Sequence, residues 1–242
     1  MTTVGEIGSR AAHTRSTGEG TRGAVSNLRG ALRTGLVGVV VLAAFLVALG
    51  YAIRGPLGGV RHWDADVSHW FFAQRTATGN TLSEAGTWLA ETPTIVVIGL
   101  VSALVLLARR RFHGAALIVG GLLVEIVTYL IVVSSVDRPR PAHQLEHRFT
   151  GGYPSGHIAA AITLYGLLAY LCARRVRSRA GRALLFAVPV VVAAAVGTAR
   201  LYREMHHFSD VAAGVLLGVG ALVVASLLAR HVPDADAGEV GS

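Results

Sequence analysis

The chain contains no lysine: all 22 of its basic residues are arginine. It has one cysteine, Cys172, so no intrachain disulfide can brace it and the thiol does not report a redox compartment. Charged residues make up only 15% of the chain and aromatics 7%. The few aromatics are not interleaved with basic residues into a base-stacking platform, so the net charge of +8 does not point to nucleic acid. No internal repeat is visible. What the chain has instead is long apolar runs, and these exclude a soluble globular enzyme.

Six windows approach the roughly 20 apolar residues that a hydrocarbon core of about 30 Å requires. They lie at 35–53, 93–108, 115–135, 156–173, 183–199 and 210–229, the second and fifth being the shortest. The expected fold is all-α, an integral membrane bundle of six transmembrane helices occupying 31–231 as a single domain. Residues 1–30 and 232–242 are poor in large apolar groups and read as disordered cytoplasmic tails. The first run is longer than a signal-peptide core and far from the N-terminus, so it reads as an uncleaved anchor.

The arginines set an orientation. Fourteen fall before the first span, between spans two and three, between spans four and five, and after span six; eight fall on the other side. The positive-inside bias then places both termini in the cytoplasm and the connections after spans one, three and five outside, as in a multi-pass protein of a bacterial inner membrane. On that outer side the 54–92 connection carries His62-Trp63, His69-Trp70-Phe71-Phe72 and Trp88-Leu89. It suits either a segment lying in the interface or a loop packed over the bundle.

The chemistry-bearing residues collect at the outer ends of spans. Tyr153-Pro-Ser-Gly-His157 opens the fourth run, Asp137-Arg-Pro-Arg-Pro141 precedes it, and Arg200, His206 and Asp210 lead into the sixth. Ser155 and Gly156 stand where unpaired N–H groups at a helix N-terminus bind anions, and glycine lets the backbone approach closely. Arg140 and Arg200 offer planar forks matched to phosphoryl oxygens, while Arg138 either joins them or pairs with Asp137. His206 and Asp210 are four apart and share a helix face, so a carboxylate could take one ring proton and leave the other nitrogen as nucleophile or base. Read alone, each piece also has a structural use, as a helix cap or a snorkelling arginine.

Together these residues resemble the type 2 phosphatidic acid phosphatase superfamily of membrane lipid phosphatases. That family's motifs are Lys-x6-Arg-Pro, Pro-Ser-Gly-His and Ser-Arg-x5-His-x3-Asp. The second is complete at 154–157, the third matches at Arg200, His206 and Asp210, and the first ends at Arg140-Pro141. Val133 stands in place of the lysine and Ala199 in place of the serine.

The resemblance implies phosphate binding by Arg140, Arg200, Ser155, Gly156 and Arg138. It further implies attack by His206 oriented by Asp210, general acid–base catalysis by His157, and no metal or cofactor. The expected substrate is a lipid phosphate or diphosphate such as undecaprenyl diphosphate, phosphatidic acid or phosphatidylglycerophosphate. A phosphotransferase on the same fold is the alternative, followed by a transporter or binding protein with a degenerate site.

Two further features stand apart. His143-x-x-Glu146-His147 matches a short zinc-protease pattern but is wedged between Pro141 and Gly151-Gly152, with little room for the helix it needs. Glu125, in the middle of span three, is a functional candidate or a hydrogen-bonded carboxyl inside the bundle.

Overall fold

An apolar segment in hydrocarbon must satisfy each backbone N–H and C=O within itself, and here each long run does so as a helix. The computed structural model describes residues 5–146 and 151–232, with side chains from Val25 onward. Its helices are α1 Gly5–Arg54, α2 Gly58–Ala73, α3 Ala77–Trp88, α4 Thr92–Ala108, α5 Phe112–Ser135, α6 Gly156–Ala173, α7 Arg179–Tyr202 and α8 Phe208–Ala229. No strand occurs among the described residues.

Six segments are long and apolar enough to cross a membrane: Val25–Arg54, Ala77–Ala108, Phe112–Ser135, Gly156–Ala173, Arg179–Tyr202 and Phe208–Ala229. They match the six expected spans, but the second and fifth are longer than hydropathy alone suggests. The second gains the polar α3 ahead of α4, and the fifth carries arginines in both end turns, which a hydropathy window trims away. The tail expected over 1–30 falls largely within α1. The one expected over 232–242 lies outside the described residues except at Val232.

The 54–92 connection is built from α2 and α3, and both pack on the bundle. α2 touches α1, α7 and α8, and α3 lies along α7. Trp63 of α2 meets Phe208 edge-on at 4.8 Å, while Asp64 on the next position is fully buried.

α6 is the central helix, with α5, α7 and α8 packed around it. The α6–α8 approach is very close. A Cβ on Gly214 would stand 2.5 Å from the Ser155 carbonyl oxygen, and one on Gly218 2.9 Å from that of Ala159. The Gly214-x-x-x-Gly218 spacing is therefore a packing stripe of the kind that lets two membrane helices touch backbones. It brings the N-termini of α6 and α8 side by side, and Ser155 donates its N–H to the Asp210 carbonyl at 3.0 Å.

Two helix ends are closed by the same device. After α4, Arg111 N–H bonds Leu106 O and Arg110 N–H bonds Leu107 O; after α7, Met205 N–H bonds Arg200 O and Glu204 N–H bonds Leu201 O. This paired pattern needs a left-handed residue at the turn, usually glycine. Here Arg110 (φ 57°) and Glu204 (φ 50°) occupy it. Glu204 is anchored, since its carboxylate accepts the His143 N–H at 2.9 Å and lies 3.8 Å from Arg75.

Candidate active site

All three motif regions meet at one end of the bundle, where α1, α5 and α7 finish and α4, α6 and α8 begin. His206 lies in the α7–α8 turn and is 3% exposed. Its Nδ1 is 2.7 Å from the Gly152 carbonyl oxygen. A carbonyl can only accept, so Nδ1 carries the proton and Nε2 presents its lone pair. That lone pair faces Arg140, whose Nη1 is 3.4 Å away. Burial, then Arg200 and Arg140, hold the His206 imidazole well below its ordinary pKa, against the opposing pull of the Gly152 carbonyl. His206 is thus a buried imidazole held toward its neutral form, with its lone-pair nitrogen among arginines.

Arg140 is positioned by backbone oxygens. Its Nη1 donates to Met205 O at 2.5 Å and its Nη2 to Gly151 O at 3.2 Å. Those bonds orient the guanidinium toward the His206 ring. Arg200 ends α7 and is 1% exposed. Ser155 is completely buried, and its Oγ has no protein hydrogen-bond partner among the described residues. A buried hydroxyl left in that state is costly unless a ligand engages it. Gly156 follows at the first position of α6, where a Cβ would press to 3.0 Å on the Tyr129 ring.

His157, in the same first turn, is half-buried with Nε2 3.3 Å from Glu91 Oε1. It also opens onto a cleft of about 460 Å³ between α4, α5 and α6. Gly156, His157 and Tyr129 line its end beside the site, and Leu100, Ala103 and Val119 continue it along the membrane-spanning helices. Glu125 lines this same cleft, so it sits beside the site rather than in a separate pathway.

Two residues stand in a geometry other than the expected one. Asp210 does not hold the His206 ring nitrogen: its Oδ2 is 4.0 Å from Nδ1, and the Gly152 carbonyl takes that hydrogen bond. Asp210 instead caps α8 by accepting the His207 N–H at 2.8 Å, and it pairs through Oδ1 with Arg138. Arg138, in turn, is not a ligand-facing fork. Its Nη1 also meets Ser209 Oγ at 2.7 Å and its Nη2 meets Asp64 Oδ2 at 2.6 Å, so both arms are taken by carboxylates and a hydroxyl.

Asp64 was not legible as a functional residue. It accepts from Ser209 N–H at 2.9 Å and Ser209 Oγ at 2.5 Å, completing a buried Asp64–Arg138–Asp210–Ser209 network under the α8 N-terminus. Gly152 and Tyr153 were missed as well. Burial and the Asp210 carboxylate push the Tyr153 phenol above its ordinary pKa despite Arg138, and it stays a donor to Leu46 O of α1 at 3.0 Å.

The two departures have local packing. Val133 lies against Gly151, with 3.7 Å to the place of a Cβ there, and Ala199 packs its methyl at 3.2 Å from the corresponding point on Gly86 of α3. Arg138 does not replace the missing lysine, being spent on Asp64 and Asp210. The zinc-protease pattern is also dispersed. His143 stacks on Phe72 at 4.5 Å, Glu146 pairs with Arg203 at 2.7 Å, and His147 lies outside the described residues.

The family profile for the PAP2 superfamily matches residues 112–232, half of the chain. The protein belongs to the PAP2 superfamily. Its fold is similar to the crystal structure of a transmembrane PAP2 type phosphatidylglycerolphosphate phosphatase from Bacillus subtilis. The TM-score is 0.67 at 22% identity, covering 81% of this chain and 97% of that one. No curated protein sequence matches the chain.

Proposed function

We propose that the protein removes phosphate from a lipid phosphate or diphosphate by way of a phosphohistidine on His206. The observation that carries this reading is the joining of two unlike surfaces at His157. On one side are the neutral His206, Arg140, Arg200 and the unpartnered Ser155 hydroxyl; on the other is an apolar cleft running into the membrane. A phosphate headgroup suits the first and a hydrocarbon tail the second.

The geometry supports the following steps. His206 Nε2 donates its lone pair to phosphorus while Nδ1–H stays bonded to Gly152 O, which disperses the positive charge that grows on the ring. Arg140, Arg200, Ser155 and the Gly156 N–H hold the equatorial oxygens. The P–O bond to the leaving group breaks, and His157 gives its proton to the departing oxygen. Water then attacks the phosphohistidine and returns a proton to His157, the P–N bond breaks, and inorganic phosphate leaves. With a diphosphate, the first leaving group is the lipid monophosphate.

The arginine-rich connections after α4 and α6 lie at the bundle end opposite the site, which supports a site on the outer face. From that face the accessible candidates are polyprenyl diphosphates, phosphatidic acid and phosphatidylglycerophosphate.

Phosphate release from a panel of these lipids tests the reading, with His206→Ala as the blank. Wild-type turnover should exceed the blank by at least about 10³-fold, the scale of losing a nucleophile. Equal rates for both proteins would refute the assignment.

A further inference from the structure

One carboxylate outside the motifs touches the catalytic machinery. Glu91 occupies the N-cap position of α4 with extended backbone (φ −61°, ψ 145°), yet its side chain does not cap its own helix. Pro93, at the start of α4, has no N–H to satisfy, which lessens the need for a cap. The side chain turns instead to α6, where Oε1 lies 3.3 Å from Nε2 of His157, an ion-pair distance when the imidazole is protonated, though without hydrogen-bond alignment. Its neighbours Ala90 and Thr92 line the lipid cleft, so this ion pair stands where a tail enters and a leaving oxygen departs.

The two histidines therefore sit in opposite fields. His206 is surrounded by Arg140 and Arg200 and is neutral, whereas His157 has a carboxylate on its imidazole. Other titratable groups of the described residues face His157 from the surrounding helices. Tyr129 and Glu125 face the cleft from α5, and His206 with its two arginines lies on the phosphate side. Asp210 is engaged with Arg138 and the His207 amide. Glu84 and Glu146 share a hollow of about 240 Å³ with Glu91, and Glu146 is paired with Arg203.

We propose that Glu91 is the positioning residue of the general acid: its carboxylate holds the His157 imidazolium at the end of the cleft beside the site, aimed at the leaving oxygen. This rests on the phosphatase reading above. As the P–O bond breaks, the proton passes from His157 to the leaving oxygen, and Glu91 remains a carboxylate throughout.

The test compares full-length wild type with Glu91→Gln, His157→Ala and the double variant. The two substrates are a short-chain phosphatidic acid, whose alkoxide leaving group needs a proton, and p-nitrophenyl phosphate, whose phenolate does not. A carboxylate favours the charged imidazole, so its loss should move the alkaline limb of the kcat profile to lower pH, by about one unit. Lipid turnover near the limb should fall about tenfold, the equivalent of that shift. The pre-steady-state burst of nitrophenolate from the aryl phosphate should stay within about threefold, because general acid assistance contributes little to that half-reaction. In the His157→Ala background, adding Glu91→Gln should cost nothing further.

Superimposable pH profiles, equal losses on both substrates, or a further loss in the His157→Ala background would each overturn the proposal. If Glu91→Gln proved unstable, Glu91→Asp provides the second reading, with the same limb shifted less and the same substrate contrast. Wild-type protein that released phosphate from neither substrate would instead remove the phosphatase reading itself, and this inference with it.

Discussion

Arg138 and Arg140 stand two residues apart in one Asp-Arg-Pro-Arg-Pro run, and the fold gives them different work. Arg138 is buried between Asp64 of α2 and Asp210 of α8, with Ser209 on the same nitrogen as Asp210. Arg140 is held by the carbonyls of Met205 and Gly151 and reaches toward His206 Nε2. The carboxylates around Arg138 consume its charge, whereas the carbonyls on Arg140 orient its guanidinium. The pair shows that an arginine's role in such a site is set by what its partners leave over, and sequence position alone does not report that.

The largest expected effect breaks the first half of the comparison. Arg138→Met leaves Asp64 and Asp210 buried with no cation between them, and stripping one partner from such a group costs about 3–5 kcal/mol. Thermal unfolding in detergent should show a large drop in midpoint, with activity lost through unfolding. Arg140→Gln should show the reverse. Turnover should fall about 10²–10³-fold, the cost of one electrostatic donor in a transition state, while the unfolding midpoint barely moves.

Gly214→Ala should be intermediate, because its methyl would press on the backbone of Ser155, which cannot swing aside. Overpacking of this kind costs about 1–3 kcal/mol, and it should appear in both stability and rate.

A pH profile sharpens the electrostatic side. In the proposed mechanism His206 attacks as the neutral imidazole, and its pKa is depressed partly by Arg200. In wild type, kcat/KM should therefore persist below the usual histidine range. In Arg200→Gln the acid limb should move to higher pH, because one cause of the depression is gone. The smallest effect belongs to Val133→Lys, which restores the family cation beside Gly151. It should lower KM for phosphate substrates by no more than about fivefold, as expected for a solvent-screened charge.

The spans and the motif residues that gather at one end of the bundle could be read from the chain because both are local signals: apolar runs of membrane length, and fixed spacings next to them. The network under α8 could not. Asp64 lies in a helix of mixed aromatic and polar residues 74 positions from Arg138, with no periodic or motif signal marking it as buried. The Gly152 carbonyl was invisible for another reason: a backbone acceptor leaves no trace in residue type, so the visible Asp210 was given its task. Glu91, next to Thr92-Pro93, looks like an ordinary helix start, and only the placement of α6 reveals which way its carboxylate turns. The missing serine is equally silent, since Ala199 is legible as an absence but its packing on Gly86 is not.

The turn after α7 has a consequence for how the site tolerates change in length. Two hydrogen bonds and the left-handed Glu204 fix the chain from Arg200 to Met205, and the Met205 carbonyl then grips Arg140. The five residues between Arg200 and His206 thus act as a ruler that sets two arginines and the His206 imidazole against each other in a single stroke. Lengthening or shortening that interval by one residue would displace all three at once, although no catalytic side chain had been altered.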